Sequence, residues 1–202
     1  MARIATITDE RLLLAARQEF LEHGIRATSA AIARRAGVSP GILFHRFKTK
    51  EALFAAAMSA GNDAPGLPID LRARVGKGSV QKTLVDLGEL LLEKFFVVVP
   101  GQVMAWANPD PDPKRSVNMV EQHRERGVRG QRGLVEYLRA EERRGRIRHI
   151  DPFVFVQAFS GALWFFAFEQ VTGAKLRGAA ESPSRSEFVR KLVDTLWSGL
   201  NP

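Results

Sequence analysis

Ala33-Arg34-Arg35-Ala36-Gly37-Val38-Ser39-Pro40-Gly41-Ile42-Leu43-Phe44-His45-Arg46-Phe47 is the stretch from which the fold is read. A turn between two steeply crossing helices needs three things. They are a small residue on the first helix, a residue tolerant of positive φ four positions on, and an apolar residue six further along that packs back. Ala33, Gly37 and Leu43 meet all three spacings. Ser39 is placed to cap the next helix, and Pro40 falls in its first turn, where a missing N–H costs nothing. The spacing therefore predicts a short helix from Pro40 to Arg46 with an outward N-terminus, sized for the major groove of DNA.

Working outward, Leu12, Leu13, Ala16, Phe20 and Leu21 recur at three- and four-residue spacing and predict a helix from Thr8 to His23, stopped by Gly24. A helix from Thr28 or Ser29 to Ala36 and another from Lys50 to about Ala60 complete a closely spaced set. Residues 61–78 collect Asn, Asp, Gly and Pro and read as a connector and domain boundary. Longer helices are expected beyond it, from Val80 to about Val98, Pro113 to Gly145, Pro152 to Thr172 and Ser184 to Gly199. Asp151-Pro152 marks one start, and Ser184 with Glu187 fits a capping box at another. Gly127, Gly130 and Gly133 fit either close helix contact or a kink or break, and the kink or break is the reading adopted. Strand signals are nearly absent, so the expected fold class is all-α.

The chain has 202 residues, 45% of them hydrophobic, which is enough for a sizeable core and excludes a disordered chain. Thirty Lys and Arg against twenty-two Asp and Glu give a net charge of +8, a balance that favours nucleic acid or an anionic membrane surface. The absence of Cys excludes disulfides, thiolate nucleophiles, zinc fingers and iron–sulfur clusters, and His23, His45, His123 and His149 are too scattered to suggest a metal site. The apolar run Phe153–Phe168, broken by Gln157 and Ser160, falls short of the roughly twenty residues that span a bilayer and reads as a buried helix. Asp9, Glu10 and Arg11 interrupt any leader-like run at the N-terminus, so no membrane association and a cytoplasmic location are expected. Gly76-Lys77-Gly78-Ser79 lacks the upstream glycine of a phosphate-binding loop, and no nucleophile elbow or metal-ligand spacing is present. Neither a cofactor nor an enzymatic role is expected.

From Leu12 to Phe54 the chain resembles the TetR family of bacterial transcriptional regulators. The resemblance is carried by Glu19-Phe20-Leu21-Glu22-His23-Gly24, Ala27-Thr28-Ser29, Ile32-Ala33-Arg34-Arg35-Ala36-Gly37-Val38-Ser39 and Leu43-Phe44-His45-Arg46-Phe47-Lys48-Thr49-Lys50-Glu51-Ala52-Leu53-Phe54. It implies a homodimeric regulator with a three-helix helix-turn-helix DNA-binding domain at residues 1–58 and a helical ligand-binding and dimerisation domain at 59–202. Where many family members carry Tyr in the recognition helix, this chain has Phe44, which keeps the ring and loses the hydroxyl.

The resemblance places Thr28 and Ser29 on DNA phosphates at the start of the second helix, a role compatible with simple N-capping. It makes Ser39, Pro40, Gly41 and Ile42 the leading edge of the recognition helix, with Gly41 permitting close approach. Ile42 would offer an apolar contact to a thymine methyl, unless it belongs to the core. His45 would reach a base or phosphate, or be a solvated imidazole. Arg46, Lys48 and Lys50 would meet phosphates, against the alternative of a solvated charged face. Phe20, Ile32, Ala36, Val38, Leu43, Phe47 and Leu53 are expected in the core. The basic excess is not confined to this domain. Residues 1–60 carry a net charge of +4 and residues 114–149 one of +6. Because the helix at 153–168 is apolar on nearly every face, it should be covered both by its own domain and by a second subunit. The resemblance implies a dimer interface from the last two helices, for which Phe155, Phe159, Trp164, Phe168, Leu192 and Leu196 are candidates. Met104, Trp106, Met119 and His123 are candidates for an effector pocket. The expected function is a repressor released from a pseudopalindromic operator by a small molecule. An activator with the same DNA-binding mode and a non-specific architectural DNA-binding protein are the alternatives.

Overall fold

The computed structural model describes residues 7–59, 69–107, 128, 130–173 and 183–200, and among these every regular element is helical. In chain order they are α1 (Asp9–His23), α2 (Ser29–Ala36), α3 (Pro40–Phe47), α4 (Lys50–Ser59), α5 (Val80–Ala107), α6 (130–142), α7 (Pro152–Thr172) and α8 (Arg185–Trp197), with short 3-10 turns at Gly24–Arg26 and Arg72–Arg74. The chain divides into two compact units, one of residues 1–63 with 100–119 and one of residues 64–99 with 120–202.

In the first unit Leu12, Ala16 and Phe20 on α1 face Ile32 and Ala33 on α2, Leu43 on α3, and Leu53 and Ala57 on α4, forming one closed core. Phe20 meets Phe54 edge-on at 5.0 Å, the geometry the ring quadrupoles prefer. The helices begin where hydroxyls satisfy their first amides, as Thr8 accepts from Arg11 N–H and Thr28 from Ala31 N–H. Across α1 and α2, Arg35 binds Glu19 at 2.7 Å and clamps Glu22. Those hydrogen bonds, Glu22 first and Glu19 second, hold the Arg35 guanidinium above its ordinary pKa.

The end of α5 belongs to this unit. α5 has 28 residues and runs on through Pro100 to Ala107, past the stop expected near Val98. An internal proline removes one hydrogen bond and costs about 3 kcal/mol. Packing offsets that cost, since Gly101 lies so close to Met58 that an added Cβ would fall 3.2 Å from it, and Met104 packs on the core.

In the second unit, α5 approaches its neighbours at Gly88, where a Cβ would stand 2.7 Å from Val189 of α8 and 3.3 Å from Phe159 of α7. Phe166 of α7 stacks on Phe188 of α8 at 4.2 Å. The fully buried Glu141 near the end of α6 accepts from Gly76 N–H at 2.7 Å and pairs with Arg146 at 2.8 Å. This pair pins the 71–79 segment to α6, and burial pushes the Tyr137 phenol up from its ordinary pKa. Both marked helix starts hold. Asp151 accepts from the amides of Phe153 and Val154, and Ser184 accepts from Glu187 N–H. In α6, residues 130–142 are unbroken through Gly133, so the expected break does not fall there, while Gly127 lies outside the described residues.

One expectation about α7 is corrected. The helix is 21 residues long, and by length and composition it could cross a membrane, unlike the sixteen-residue run read from sequence. Phe155, Val156, Phe159, Leu163, Phe166 and Ala167 are instead buried within the protein. Its own subunit leaves Phe153, Val154, Phe165 and Val171 exposed, in keeping with the expectation that its own domain covers only part of the helix.

Candidate nucleic-acid interface

α2 ends at Gly37 in the left-handed conformation (φ 73°, ψ 32°). Val38 N–H bonds back to Ala33 at 2.9 Å and Gly37 N–H to Arg34 at 3.1 Å, the paired 6→1 and 5→2 bonds of a Schellman turn. Val38, just beyond, packs on the core beside Ala33 and so fixes the angle at which α3 departs. Ser39 occupies the N-cap position with extended backbone, but its hydroxyl makes no capping bond, contrary to the sequence expectation. The amide it would take, that of Ile42, bonds to the Ser39 carbonyl at 3.0 Å instead. The Ser39 side chain is exposed.

Burial divides α3 in two. Leu43 is buried, and Ile42, Arg46 and Phe47 are half-buried on the inner side. Pro40, Gly41, Phe44, His45 and the following Lys48 are exposed, and Gly41, Phe44, His45 and Lys48 stand at the i, i+3, i+4, i+7 spacing of one helix face. The residues expected at the DNA therefore divide too. Thr28 is exposed at the start of α2 with its hydroxyl on Ala31 N–H, and Ser29 is half-buried beside it. Pro40, Gly41, His45 and Lys48 lie on the outer face of α3, while Lys50 is half-buried at the first turn of α4.

Two of the candidates also have partners within the domain. Ile42 packs against the core cluster because the Schellman turn directs this side of α3 inward. Arg46 donates through one nitrogen to Asp9 at 2.6 Å and to the Ile7 carbonyl at 2.8 Å, so its guanidinium ties α3 to the start of α1. Phe44, which the sequence reading did not assign to the interface, is 46% exposed. The helical period counted from Gly41 would have placed it on the outer face.

Lys48 has φ 65° and ψ −51°, and Thr49 N–H reaches the Phe47 carbonyl at 2.7 Å across it. That is a γ-turn in its strained, positive-φ form, which costs about 1–3 kcal/mol for a residue with a side chain. Thr49 then caps α4 through Ala52 N–H. From Gly24 to Lys50 the chain carries six Lys or Arg and no Asp or Glu. Arg35 and Arg46 are held in internal ion pairs, whereas Arg26, Arg34 and Lys48 are exposed. Glu19, Glu22 and His23 bring potential ligand atoms within 4.8 Å of one another, and Arg35 already supplies the counter-charge to both carboxylates.

The remaining candidates lie in other surroundings. Met104 is half-buried on the core of the first unit, because α5 extends into it, and Trp106 is 65% exposed. Met119 and His123 lie outside the described residues. Phe155 and Phe159 are buried in their own subunit, where Phe159 lies close to Gly88, so they are unavailable to a second copy. Trp164, Phe168, Leu192 and Leu196 are half-buried.

A closed helical core, a Schellman turn of fixed angle and a short helix whose outer face lies in an acid-free segment define a helix-turn-helix domain. Residues 12–57 match the bacterial regulatory proteins of the tetR family. An uncharacterized HTH-type transcriptional regulator of Bacillus subtilis, YvkB, is 34% identical over 88 residues, a match that covers 43% of this chain and 44% of that protein. The match thus spans less than half the length of that relative. Among solved structures, a Mesorhizobium loti protein assigned to the TetR family superposes with a TM-score of 0.68 at 20% identity over 97% of this chain and all of its own. A Saccharomonospora viridis regulator in complex with choline gives 0.71 at 17% identity over 95% of this chain and 96% of its own. Over residues 12–57 the chain is thus similar to the tetR-family regulatory proteins, and its fold is that of these solved helical structures.

Proposed function

We propose that the protein is a sequence-specific DNA-binding transcriptional regulator acting as a homodimer. It represses from a pseudopalindromic operator and is released by a small-molecule effector. The observation that carries this reading is the outer face of α3, set by the Schellman turn within a segment of six cations and no anion. Each protomer presents one such helix, and two of them enter successive major grooves on one side of the duplex. Thr28 and Ser29 hold phosphates at the start of α2, while Lys48 and Lys50 flank the groove.

The homodimer reading rests on α7. Val154, Ala158, Gly161 and Phe165 are exposed at helical spacing, and a Cβ at Gly161 would meet nothing within 4 Å. Packing this face against its symmetry mate, with Trp164, Phe168, Leu192 and Leu196 around it, removes an apolar surface that a monomer would leave in water. The effector binds in the C-terminal unit, as a regulator of similar fold is found with choline. It needs only to favour the state that binds operator poorly, the coupling being reciprocal. A DNA-bound role places the protein in the cytoplasm.

Selection of random duplexes by the full chain, followed by sequencing of the survivors, tests this function. A two-fold symmetric sequence is expected. Binding that enriches no sequence and collapses with added salt would replace this reading with a non-specific architectural one.

A further inference from the structure

The outer face of α3 is not uniformly polar. It is built as Pro40 and Gly41 in the first turn, Phe44 and His45 one turn on, and Lys48 at the end. Phe44 leaves 46% of its surface in water in a unit whose other phenylalanines are buried or half-buried. Ile42, the other apolar residue beyond Pro40 at the leading edge, is half-buried against the core, so Phe44 is the most exposed large apolar side chain of α3. Gly41 precedes Phe44 by three residues, and a Cβ there would meet only Ser39 Oγ, at 3.8 Å. The protein's own packing thus does not require glycine at 41. With no side chain at 41, the position three residues before Phe44 on the same exposed face leaves the ring open to an approaching surface.

We infer that Phe44, with Pro40 and Gly41 beside it, is a specificity-determining apolar contact that recognises the 5-methyl group of a thymine in the major groove. This rests on the DNA-binding reading proposed above. A thymine is the occupant because the major-groove edge of the base pairs offers one apolar group, the thymine methyl, among hydrogen-bond donors and acceptors. A phenyl ring without a hydroxyl can make no hydrogen bond to any of the others. The acid-free cationic surround brings a polyanion to this face, and the apolar strip is where that polyanion must present a methyl.

The test uses the unmodified full chain and the operator obtained by selection. Each thymine in a half-site is replaced in turn by deoxyuridine, which deletes only the methyl, and binding is followed by fluorescence anisotropy at fixed salt. Loss of one buried methyl is expected to weaken binding about fourfold at one thymine per half-site. Phe44→Ala should bind the parent operator more weakly and be indifferent to deoxyuridine at that position. Phe44→Leu, which keeps an apolar side chain and guards against misfolding, should retain part of the sensitivity. The inference is overturned if no thymine is methyl-sensitive, or if Phe44→Ala keeps the wild-type sensitivity. Failure of the underlying reading is distinguishable, since no symmetric operator would then emerge from the selection.

Discussion

α3 and α7 are both helices with apolar residues left in water, and they differ in how that exposure is arranged. On α3 it is one ring, Phe44, flanked by Gly41, His45 and Lys48. On α7 it is a row along the helix, Val154, Ala158, Gly161 and Phe165, beside half-buried Trp164 and Phe168. A single ring among polar and cationic groups suits a polar, anionic surface with isolated methyls. A continuous apolar row suits a surface like itself. The contrast teaches that pattern and surroundings, rather than the amount of exposed apolar area, separate the proposed nucleic-acid face from the proposed subunit face.

The most damaging change should strike the core on which the α3 face is built. Phe20→Ala, in the closed core of α1–α4, is expected to cost about 3–5 kcal/mol in chemical denaturation, enough to unfold much of the first unit. A loss below 1 kcal/mol would mean that the core is not closed around that ring.

Phe165→Glu places a charge in the middle of the α7 row. It should convert the proposed dimer to monomer in sedimentation equilibrium while leaving the helical circular dichroism unchanged. A dimer of undiminished strength would locate the interface elsewhere. The same substitution should abolish operator binding at concentrations where each half-site alone binds weakly, which links the two faces.

Lys48→Gly relieves the positive φ at the end of α3 and should stabilise the fold by about 1 kcal/mol. Because it also removes a cation from the DNA face, operator binding should weaken and the salt slope fall by about one per protomer. Gly41→Ala makes the same opposition smaller. Glycine is not required at 41 by any clash, so alanine should raise stability by about 0.5–1 kcal/mol in thermal melts. Operator affinity should drop because the added methyl stands three residues before Phe44 on the same exposed face. Stability and affinity falling together would show that position 41 serves the fold.

The smallest effect belongs away from both faces. Asp86 is held below the usual carboxylate range by hydrogen bonds from Lys82 first and Arg74 second. A depressed carboxylate contributes stability above its ordinary value of 3.8 that is lost as pH falls through the lower folded value. Asp86→Asn should therefore cost under about 1 kcal/mol at neutral pH, with the difference from wild type vanishing in acid.

Much of the first unit was legible because its signals are local. Ala33, Gly37 and Leu43 specify a turn through backbone conformation and size, and Thr8 and Thr28 mark helix starts by hydrogen bonds within a few residues. What escaped the sequence depends on neighbours far along the chain. The packing of Ile42, which the sequence left open between core and DNA, follows from the turn before α3, and the Arg46 partner Asp9 lies 37 residues away in sequence. α5 survives Pro100 because Met58 and the surrounding core receive its end. Phe159 is taken from the subunit face because Gly88 lets α5 approach α7 so closely. A helix apolar on all sides announces that it is buried, without saying which side meets its own chain.

The claim on which these comparisons turn is that the outer face of α3 enters the major groove, once per protomer. Dimethyl sulfate probing of the selected operator tests it directly, since the reagent methylates guanine N7 in the major groove and adenine N3 in the minor. Binding should protect guanine N7 in two patches about one helical turn apart on one face of the duplex. Protection confined to adenine N3, or spread evenly along the duplex, would contradict the account.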